Sequence, residues 1–266
     1  MPKLLTQEVI FSAENRPVFG WNGGRLHTGM GGRCLIGMAA GFTSESAAGI
    51  GIEHVTGVDE VHSMTQGTPD DSREAFARIY QSNEWGSAES RSGLGSAYAT
   101  THRVRTVLPM LLRALDVNSM LDAPCGDFNW MRFVDLGKTH YIGCDIVPEV
   151  IETNRVRYAD REFHVLDLAV EPLPNVDLIF SRDCLQHLTE PDIWRALRNF
   201  KKCGARWLFT SSHSTSAQDI AQETGGFGFL NLQQPPFSLP LPLLVMPEEH
   251  YASKAMCLWD MAQIGA

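Results

Sequence analysis

The chain has 266 residues, which allows one substantial hydrophobic core with an extension but not two full domains. Its composition, 44% apolar and 20% charged, is that of a globular enzyme, and a net charge of −9 without a basic run argues against nucleic acid as a partner. The six cysteines form no CxxC pair, and neither an export signal nor an apolar run of roughly 18 residues is found, which predicts a reduced, cytoplasmic protein away from membranes.

The first part of the chain, residues 1–69, is predicted to be a glycine-rich N-terminal extension. The run Gly29-Met30-Gly31-Gly32 interrupts any apolar period, so no stable element is predicted there. A phosphate-binding loop would need a Gly-Lys-Ser/Thr ending after a strand, and residues 29–33 have neither. A loosely packed extension is therefore the favoured interpretation, and the folded domain is expected over residues 70–266.

Two helices are predicted before the first strand of this domain. Pro69-Asp70-Asp71-Ser72 offers helix-start chemistry, and Phe76, Ile79 and Tyr80 then fall on one side. Residues 104–115 carry valines and leucines at i, i+3, i+4 and i+7, the pattern of an amphipathic helix, which Pro109 is expected to kink.

From residue 119 onward, short apolar runs alternate with helical patterns. The turn at 124–127 is expected to lead into a helix, and further helices are predicted at 148–158 and 190–203. Two final apolar segments are too close together for a helical crossover and predict an antiparallel hairpin. The sequence therefore predicts an α/β fold with a doubly wound, mainly parallel seven-stranded sheet and an antiparallel C-terminal hairpin, its strands at 119–123, 141–145, 163–168, 176–181, 206–211, 241–246 and 255–261.

This topology, with the segment Leu-Asp-Ala-Pro-Cys-Gly-Asp-Phe at 121–128, resembles the class I S-adenosylmethionine (SAM)-dependent methyltransferases. The resemblance covers residues 70–264. The Trp-Gly-Ser-Ala-Glu-Ser-Arg-Ser-Gly-Leu-Gly-Ser segment at 85–96, followed by 122–130, is similar to a largely uncharacterised bacterial set of these enzymes. The resemblance implies a Rossmann-like methyltransferase domain with SAM as its cofactor.

Three aspartates that follow strands are the candidate anchors for SAM. Asp122 precedes a turn in which Gly126 would let the backbone approach the ligand. Asp145 follows Asp122 at close to the spacing of about 20 residues that is typical of a ribose-binding carboxylate. By resemblance, Asp167 would bind the adenine amino group, although each aspartate taken singly is also explained as a helix cap.

A nicotinamide dinucleotide is the alternative ligand for such a fold. Pro124 and Phe128 stand where the dinucleotide fingerprint needs glycines, so a pyrophosphate would not be cradled there. SAM has no pyrophosphate, and the substitutions therefore favour SAM over NAD. The resemblance extends the predicted cofactor site to Trp85, Arg91, Ala123, Pro124, Asp127, Ile146, Leu168 and Arg182. The alternatives are that the 85–96 segment is a plain surface loop and that Arg182 binds an acidic acceptor.

The predicted catalytic pair is Asp183 and His187, which follow a strand at the carboxyl edge of the sheet. A helical turn would stack them, so that the carboxylate orients an imidazole acting as general base. In the alternative interpretation, His187 packs beneath the following helix, and Asp183 forms a salt bridge with Arg182 or Arg105.

The acceptor is expected to be a small molecule that is methylated on a hydroxyl. The segments at 211–214 and 227–237 follow the fifth strand, where loops usually shape the acceptor pocket, and their aromatic and amide side chains suit either a ring or a sugar. No metal is predicted. Nitrogen or sulfur acceptors, and a non-catalytic SAM-binding protein, are the alternatives, and the sequence leaves the oligomeric state open.

Overall fold

The computed structural model describes residues 69–216, 218–248 and 253–265, together with the backbone of a hairpin earlier in the chain. This hairpin lies in the glycine-rich extension, for which the sequence predicts no element. It pairs β1 (Val18–Asn22) with β2 (Arg25–Gly29) in antiparallel fashion. Most of the extension, including residues 30–33 of the rejected phosphate loop, lies outside the described residues.

The main domain begins with two helices, as the sequence predicts, and continues with alternating strands and helices. In chain order its elements are α1 (Pro69–Ser82), α2 (His102–Ala114), β3 (Ser119–Asp122), β4 (His140–Asp145), α3 (Pro148–Arg157), β5 (Glu162–Val165), β6 (Leu178–Ser181), α4 (Glu190–Lys202), β7 (Trp207–His213), β8 (Leu244–Pro247) and β9 (Lys254–Asp260). None of the helices in these described ranges is long and apolar enough to cross a membrane.

Seven of the strands form one sheet in the order β5-β4-β3-β6-β7-β9-β8. The strands from β3 to β7 pair in parallel, while β9 runs antiparallel to both β7 and β8. The predicted fold class, including the antiparallel C-terminal hairpin, is confirmed. The strand order reverses between β3 and β6, and the carboxyl ends of strands at such a switch point are where open α/β sheets bind ligands.

The helix predicted after the turn at 124–127 is wrong. The chain there makes only a single 3-10 turn at Met131–Phe133. Gly126 and Phe128 both adopt positive φ, at 53° and 57°, which interrupts right-handed helical geometry. The Phe128 ring is buried beneath Tyr141 and Phe163, with ring centroids 5.1 and 5.3 Å away. Aromatic packing therefore fixes this connection in place of a helix.

Each face of the sheet is covered by helices whose apolar stripes match the predicted periodicity. On one face α2 packs through Val104, Leu108, Leu111 and Leu112. On the other face α4 packs through Ile193, Ala196, Leu197 and Phe200. Side chains alternate along β3, since Met120 belongs to the first layer and Leu121 to the second. The sheet is thereby buried on both faces, and its carboxyl edge is left to form a site.

Candidate active site

A cavity of about 590 Å³ lies at the carboxyl ends of β3, β4, β5 and β6. Its outer wall is formed by α1, through Phe76 and Tyr80, and by the loop 85–96, which we call the serine–glycine loop. Nearly all the predicted site residues line the cavity: Trp85, Arg91, Asp122, Pro124, Gly126, Asp127, Asp145, Ile146, Asp167, Leu168, Arg182, Asp183 and His187. Ala123 does not, because it is completely buried in the core beneath α4.

Asp145, at the end of β4, is the carboxylate best placed to accept hydrogen bonds from a ligand in this cavity. The Val147 N–H donates to Oδ1 at 3.0 Å, and the Gly126 N–H donates to Oδ2 at 3.1 Å. A carboxylate oxygen accepts two hydrogen bonds, so each oxygen keeps one free position. Burial raises the pKa of Asp145 to about 6, against the lowering effect of the backbone N–H groups of Val147, Gly126 and Ile146. Asp145 is therefore mostly ionised at neutral pH.

Asp122, at the end of β3, is held in the opposite protonation state. Its Oδ2 accepts the Tyr141 hydroxyl at 2.7 Å, and both side chains are buried. Burial raises the pKa of Asp122 to about 8; the Tyr141 hydrogen bond lowers it, and nearby Asp145 raises it further. At neutral pH Asp122 is therefore mostly a neutral acid that can donate a hydrogen bond.

Asp167 follows β5 at the far end of the same edge. Its Oδ1 accepts the Ala169 N–H at 2.8 Å, and no other described residue is hydrogen-bonded to its Oδ2. Burial raises the pKa of Asp167. Leu166 and Leu168 flank it along the cavity wall and supply apolar surface on both sides of the carboxyl group.

The serine–glycine loop is fastened to the sheet by Asp127. The Ser90 hydroxyl donates to Oδ1 of Asp127 and the Arg91 N–H donates to Oδ2, both at 2.9 Å, while the Asp127 N–H donates to Ser92 Oγ at 3.1 Å. Asn129 adds a bond from Nδ2 to the Ser96 carbonyl at 3.1 Å. Asp127 thus holds the loop in place, and both of its carboxylate oxygens accept hydrogen bonds from loop residues.

Gly126 is required by this loop. Its φ is +53°, and an added Cβ would lie 2.3 Å from Ser92 Oγ and 3.0 Å from Ser92 Cβ. The sequence predicts that Gly126 lets the backbone approach a ligand, and the structure shows that Ser92 of the protein itself makes that close approach.

Two predicted cofactor residues on this loop have different surroundings. The Arg91 guanidinium donates to the carbonyls of Tyr80 and Gln81 at the end of α1, each at 3.0 Å, and so ties α1 to the loop. Trp85 faces inward, with its ring centroid 5.2 Å from that of His187 and 6.5 Å from that of Phe76.

Arg182 and Asp183, at the end of β6, belong to a buried charge network with Glu248 and Lys254 of the C-terminal hairpin. The Arg182 guanidinium binds Glu248 through two hydrogen bonds of 2.7 and 2.9 Å. It also donates to the Gly95 carbonyl at 2.9 Å and lies 3.1 Å from Asp183. Lys254 binds Asp183 at 2.6 and 2.8 Å and Glu248 at 2.8 Å. Two cations and two carboxylates are therefore paired inside the protein.

This network decides between the alternatives for Arg182 and Asp183. Asp183 pairs with Arg182 and Lys254, whereas Arg105 donates to Thr101 and Tyr98 instead. Burial alone would raise the pKa of Asp183, but the two cations lower it well below its usual range. The bidentate bond to Glu248 uses the face of Arg182 that would otherwise bind a ligand carboxylate.

His187 lines the cavity, but Asp183 does not orient it as the sequence predicts. The Nδ1–H of His187 donates to the Gly226 carbonyl at 2.7 Å, and residues 185–187 form a 3-10 turn in which a spacing of four does not stack side chains. Burial lowers the pKa of His187. Because Nδ1 carries the proton, Nε2 of the neutral ring has its lone pair free.

Several site residues are missed by the sequence analysis. Glu248 falls within the turn predicted between the last two strands, and Lys254 opens an apolar run without any motif around it. Tyr141 reads as an ordinary strand residue, and Asn154, which donates to the Gly126 carbonyl at 2.8 Å, reads as an ordinary helix residue. A charged residue at the start of an otherwise buried strand, as at Lys254, is the one available signal.

Among the described residues, no group of three or more His, Cys, Asp and Glu side chains could hold a metal ion.

Gly126→Ala is expected to destabilise the protein through contact with Ser92. Gly137→Ala is the matched control, because Gly137 also has positive φ, at 56°, but no atom lies within 4 Å of its added Cβ. The control should cost about 1–2 kcal/mol for the backbone conformation alone. Gly126→Ala should cost about 1–3 kcal/mol more because the site is overpacked. Denaturant unfolding measures both, and equal losses would show that the loop does not press on Gly126.

Lys254→Met is expected to lower the free energy of unfolding by about 3–5 kcal/mol, since it leaves buried carboxylates with too few cations. The control is Lys138→Met, which removes an ion pair whose lysine and aspartate side chains are 66% and 80% exposed. That control should cost at most about 1 kcal/mol. Unfolding free energies that agree for the two variants would contradict a structural role for the network.

Comparison with known proteins gives one family-model match and two structures of similar fold. A family model described as a methyltransferase domain matches residues 120–205, from β3 to the turn before β7. The N1-methyltransferase of 1,6-didemethyltoxoflavin from Burkholderia thailandensis, solved with that compound and S-adenosylhomocysteine (SAH), is 12% identical, over 75% of this chain and 93% of its own, with a TM-score of 0.51. Magnesium protoporphyrin IX methyltransferase from Synechocystis PCC 6803, solved with SAH, is 10% identical, over 71% of this chain and 97% of its own, with the same TM-score.

These two similarities concern the fold, and no curated protein matches the chain in sequence. The family-model match, the order of the strands and the antiparallel last strand nevertheless agree with one another. Residues 120–205 match the methyltransferase-domain family model, and the chain has the fold of these two SAH-bound methyltransferases.

Proposed function

We propose that residues 70–266 form an enzyme that binds SAM in the described cavity and transfers its methyl group to a hydroxyl of a small-molecule metabolite. One observation carries this proposal. Asp122, Asp145 and Asp167, which follow three neighbouring strands, converge on a single cavity at the carboxyl edge of the sheet. Three such carboxyl groups suit a ligand that presents hydroxyl and amino donors along an extended shape.

The cavity fits SAM in size and in chemistry. Its volume of about 590 Å³ lies within the range of about 300–1,000 Å³ that is usual for cofactor sites. The free acceptor positions of Asp145 match two ribose hydroxyls, and Oδ2 of Asp167 matches the adenine amino group. Ile146 and Leu168 supply apolar walls for the adenine ring, and the serine–glycine loop closes over the methionine end.

When bound, SAM supplies an electrophilic methyl group on a sulfonium and leaves as SAH. The protein's own contribution is orientation and exclusion of water, which are the largest sources of rate for such a transfer. His187 completes the site, because it lines the cavity and its Nδ1 is fixed by the Gly226 carbonyl, which leaves the Nε2 lone pair available. It takes the proton of the acceptor hydroxyl, which is why a hydroxyl is favoured over a nitrogen or sulfur acceptor.

Asp145 is the residue on which cofactor binding should depend most. In Asp145→Ala the affinity for SAH is expected to fall by about 10–100-fold, since two hydrogen bonds to an ionised group are lost. Asp177→Ala is the matched control: the Asp177 carboxylate also accepts two backbone N–H bonds, at 2.7 and 3.0 Å, but at the opposite edge of the sheet. Calorimetric titration with SAH and with NAD measures the affinities of the wild-type protein and of both variants.

The pKa of Asp145 predicts that the affinity for SAH depends on pH, which the same titration can measure. The pKa of Asp145 is about 6, so SAH should bind most tightly above this pH and weaken by up to about tenfold per unit below it, as the carboxylate becomes protonated. No SAH binding to the wild-type protein, or tighter binding of NAD, would refute the proposed function. SAH binding in a protein that methylates none of a broad set of hydroxyl compounds would indicate a SAM-binding protein without catalysis.

His187→Ala is expected to lower turnover by at least about 100-fold without changing the affinity for SAH, because it removes the general base but no cofactor contact. His164→Ala, which removes an exposed histidine paired with Glu162, is the control and should leave turnover unchanged. Rates of SAH release in the presence of an acceptor measure the effect. Turnover of His187→Ala equal to that of the wild type would exclude His187 from proton transfer.

A further inference from the structure

Two large aromatic side chains, Phe227 and Phe229, are half-exposed next to the cavity. They are 51% and 46% exposed, and their rings meet edge to face with centroids 5.0 Å apart. Exposed apolar surface of this size carries a cost in water that is relieved when a ligand covers it.

The two rings belong to a larger surface, which we call the aromatic platform: Trp85, His187, His213, Phe227 and Phe229. Centroids are 5.2 Å apart for Trp85 and His187, 5.8 Å for His187 and Phe227, and 5.5 Å for His213 and Phe229. The platform combines residues from the serine–glycine loop, the turn after β6, the end of β7 and the segment that follows β7.

Backbone hydrogen bonds fix the platform in place. The Gly225 N–H donates to the His187 carbonyl at 2.8 Å, and the Gly228 N–H donates to the Gln186 carbonyl at 2.9 Å. Gly228 is packed so tightly that an added Cβ would lie 2.5 Å from the Asp219 carbonyl oxygen. The exposed rings therefore lie on a rigid segment, and a preorganised surface binds its ligand at a low entropic cost.

The platform is continuous with the cavity. Trp85 and His187 line the cavity and contact one another, and His187 also contacts Phe227. A flat ring stacked on Phe227 lies next to His187, whose ring centroid is 5.8 Å from that of Phe227 and whose Nε2 lone pair is free. The spacing suits stacked and edge-to-face contacts, for which centroid distances of about 4.5–7 Å are favourable.

The imidazoles of the platform are uncharged near neutral pH. Burial lowers the pKa values of both His187 and His213, and a backbone carbonyl accepts from each ring. Close to the platform, Asp183 is paired with Lys254 and Arg182. The platform thus offers ring contacts and neutral imidazole acceptors, and the nearby cations Arg182 and Lys254 are already paired with carboxylates.

We propose that the methyl acceptor is a planar aromatic or heteroaromatic hydroxy compound whose ring rests on the aromatic platform and whose hydroxyl meets Nε2 of His187. This inference rests on the proposed function and specifies its substrate class. It favours a ring over a sugar, because the segment presents the exposed rings of Phe227 and Phe229 next to His187, while the amide of Asn231 is engaged elsewhere. Asn231 Nδ2 donates to the Thr215 carbonyl at 2.7 Å, and its Oδ1 accepts the Gln233 N–H at 3.0 Å.

The test compares two alcohols of similar size on the SAH-loaded protein: 1-naphthol, which is flat and aromatic, and decahydro-1-naphthol, which is neither. Calorimetry is expected to show binding of 1-naphthol that is at least about tenfold tighter. In Phe227→Ala/Phe229→Ala this preference should be lost while the affinity for SAH is unchanged. Phe227→Leu/Phe229→Leu, which keeps apolar bulk, should lose most of the preference as well.

Phe133→Ala is the matched control, since Phe133 is 53% exposed and meets Tyr98 edge to face at 5.0 Å but does not line the cavity. It should bind 1-naphthol like the wild type. Equal binding of the two alcohols, or an effect of the double alanine variant no larger than that of Phe133→Ala, would overturn the platform.

Failure of the proposed function has a different signature. If the wild-type protein binds no SAH, the methyltransferase proposal is refuted, and 1-naphthol is titrated into the ligand-free protein instead. Loss of that binding in the double alanine variant would still support the platform, and its persistence would overturn it.

Discussion

The bidentate bond between Arg182 and Glu248 connects three parts of the chain that are distant in sequence. Arg182 follows β6, Glu248 follows β8, and the same guanidinium donates to Gly95 of the serine–glycine loop. Lys254, at the start of β9, neutralises the remaining charge on Asp183 and Glu248. Buried charges of this kind are costly when unpaired, so each member requires the others to be in place. The outer wall of the cavity therefore depends on the C-terminal hairpin.

The serine–glycine loop is held at its other end by independent interactions. Asp127 accepts from Ser90 and Arg91, and the absent side chain of Gly126 leaves room for Ser92. A loop fastened at both ends is a fixed wall rather than a mobile lid. Such rigidity suits a reaction whose rate comes from alignment of two reactants more than from strong acids or bases.

The sequence was most informative where structure and site are local. Periodicity gave the strands and most helices, and a carboxylate directly after each of three strands indicated the cavity, because the carboxyl ends of parallel strands meet at one edge. The sequence was uninformative where contacts between distant parts of the chain determine the surroundings of a residue. The carboxylate that binds Arg182 through two hydrogen bonds, Glu248, lies 66 positions away, and no spacing rule links the two residues. The pairing of Asp183 with His187 assumed α-helical geometry, whereas the chain forms a 3-10 turn and the Nδ1–H of His187 donates a hydrogen bond to the Gly226 carbonyl.

Asp122 and Asp145 show why residue type alone does not fix a role. Both are aspartates at the ends of adjacent parallel strands, and both are buried. Asp145 receives two backbone N–H bonds, which favour the ionised form and hold its pKa at about 6. Burial raises the pKa of Asp122 to about 8, because one hydrogen bond from the Tyr141 hydroxyl and the charge of Arg182 offset burial and the repulsion of Asp145 only in part. Near pH 7 the pair therefore carries about one proton, so one aspartate accepts hydrogen bonds while its neighbour donates. A ligand that presents both hydroxyl donors and an acceptor group needs one ionised and one protonated carboxyl group. Strand β4 contributes to both, since it carries Asp145 and also Tyr141, whose hydroxyl bonds Asp122.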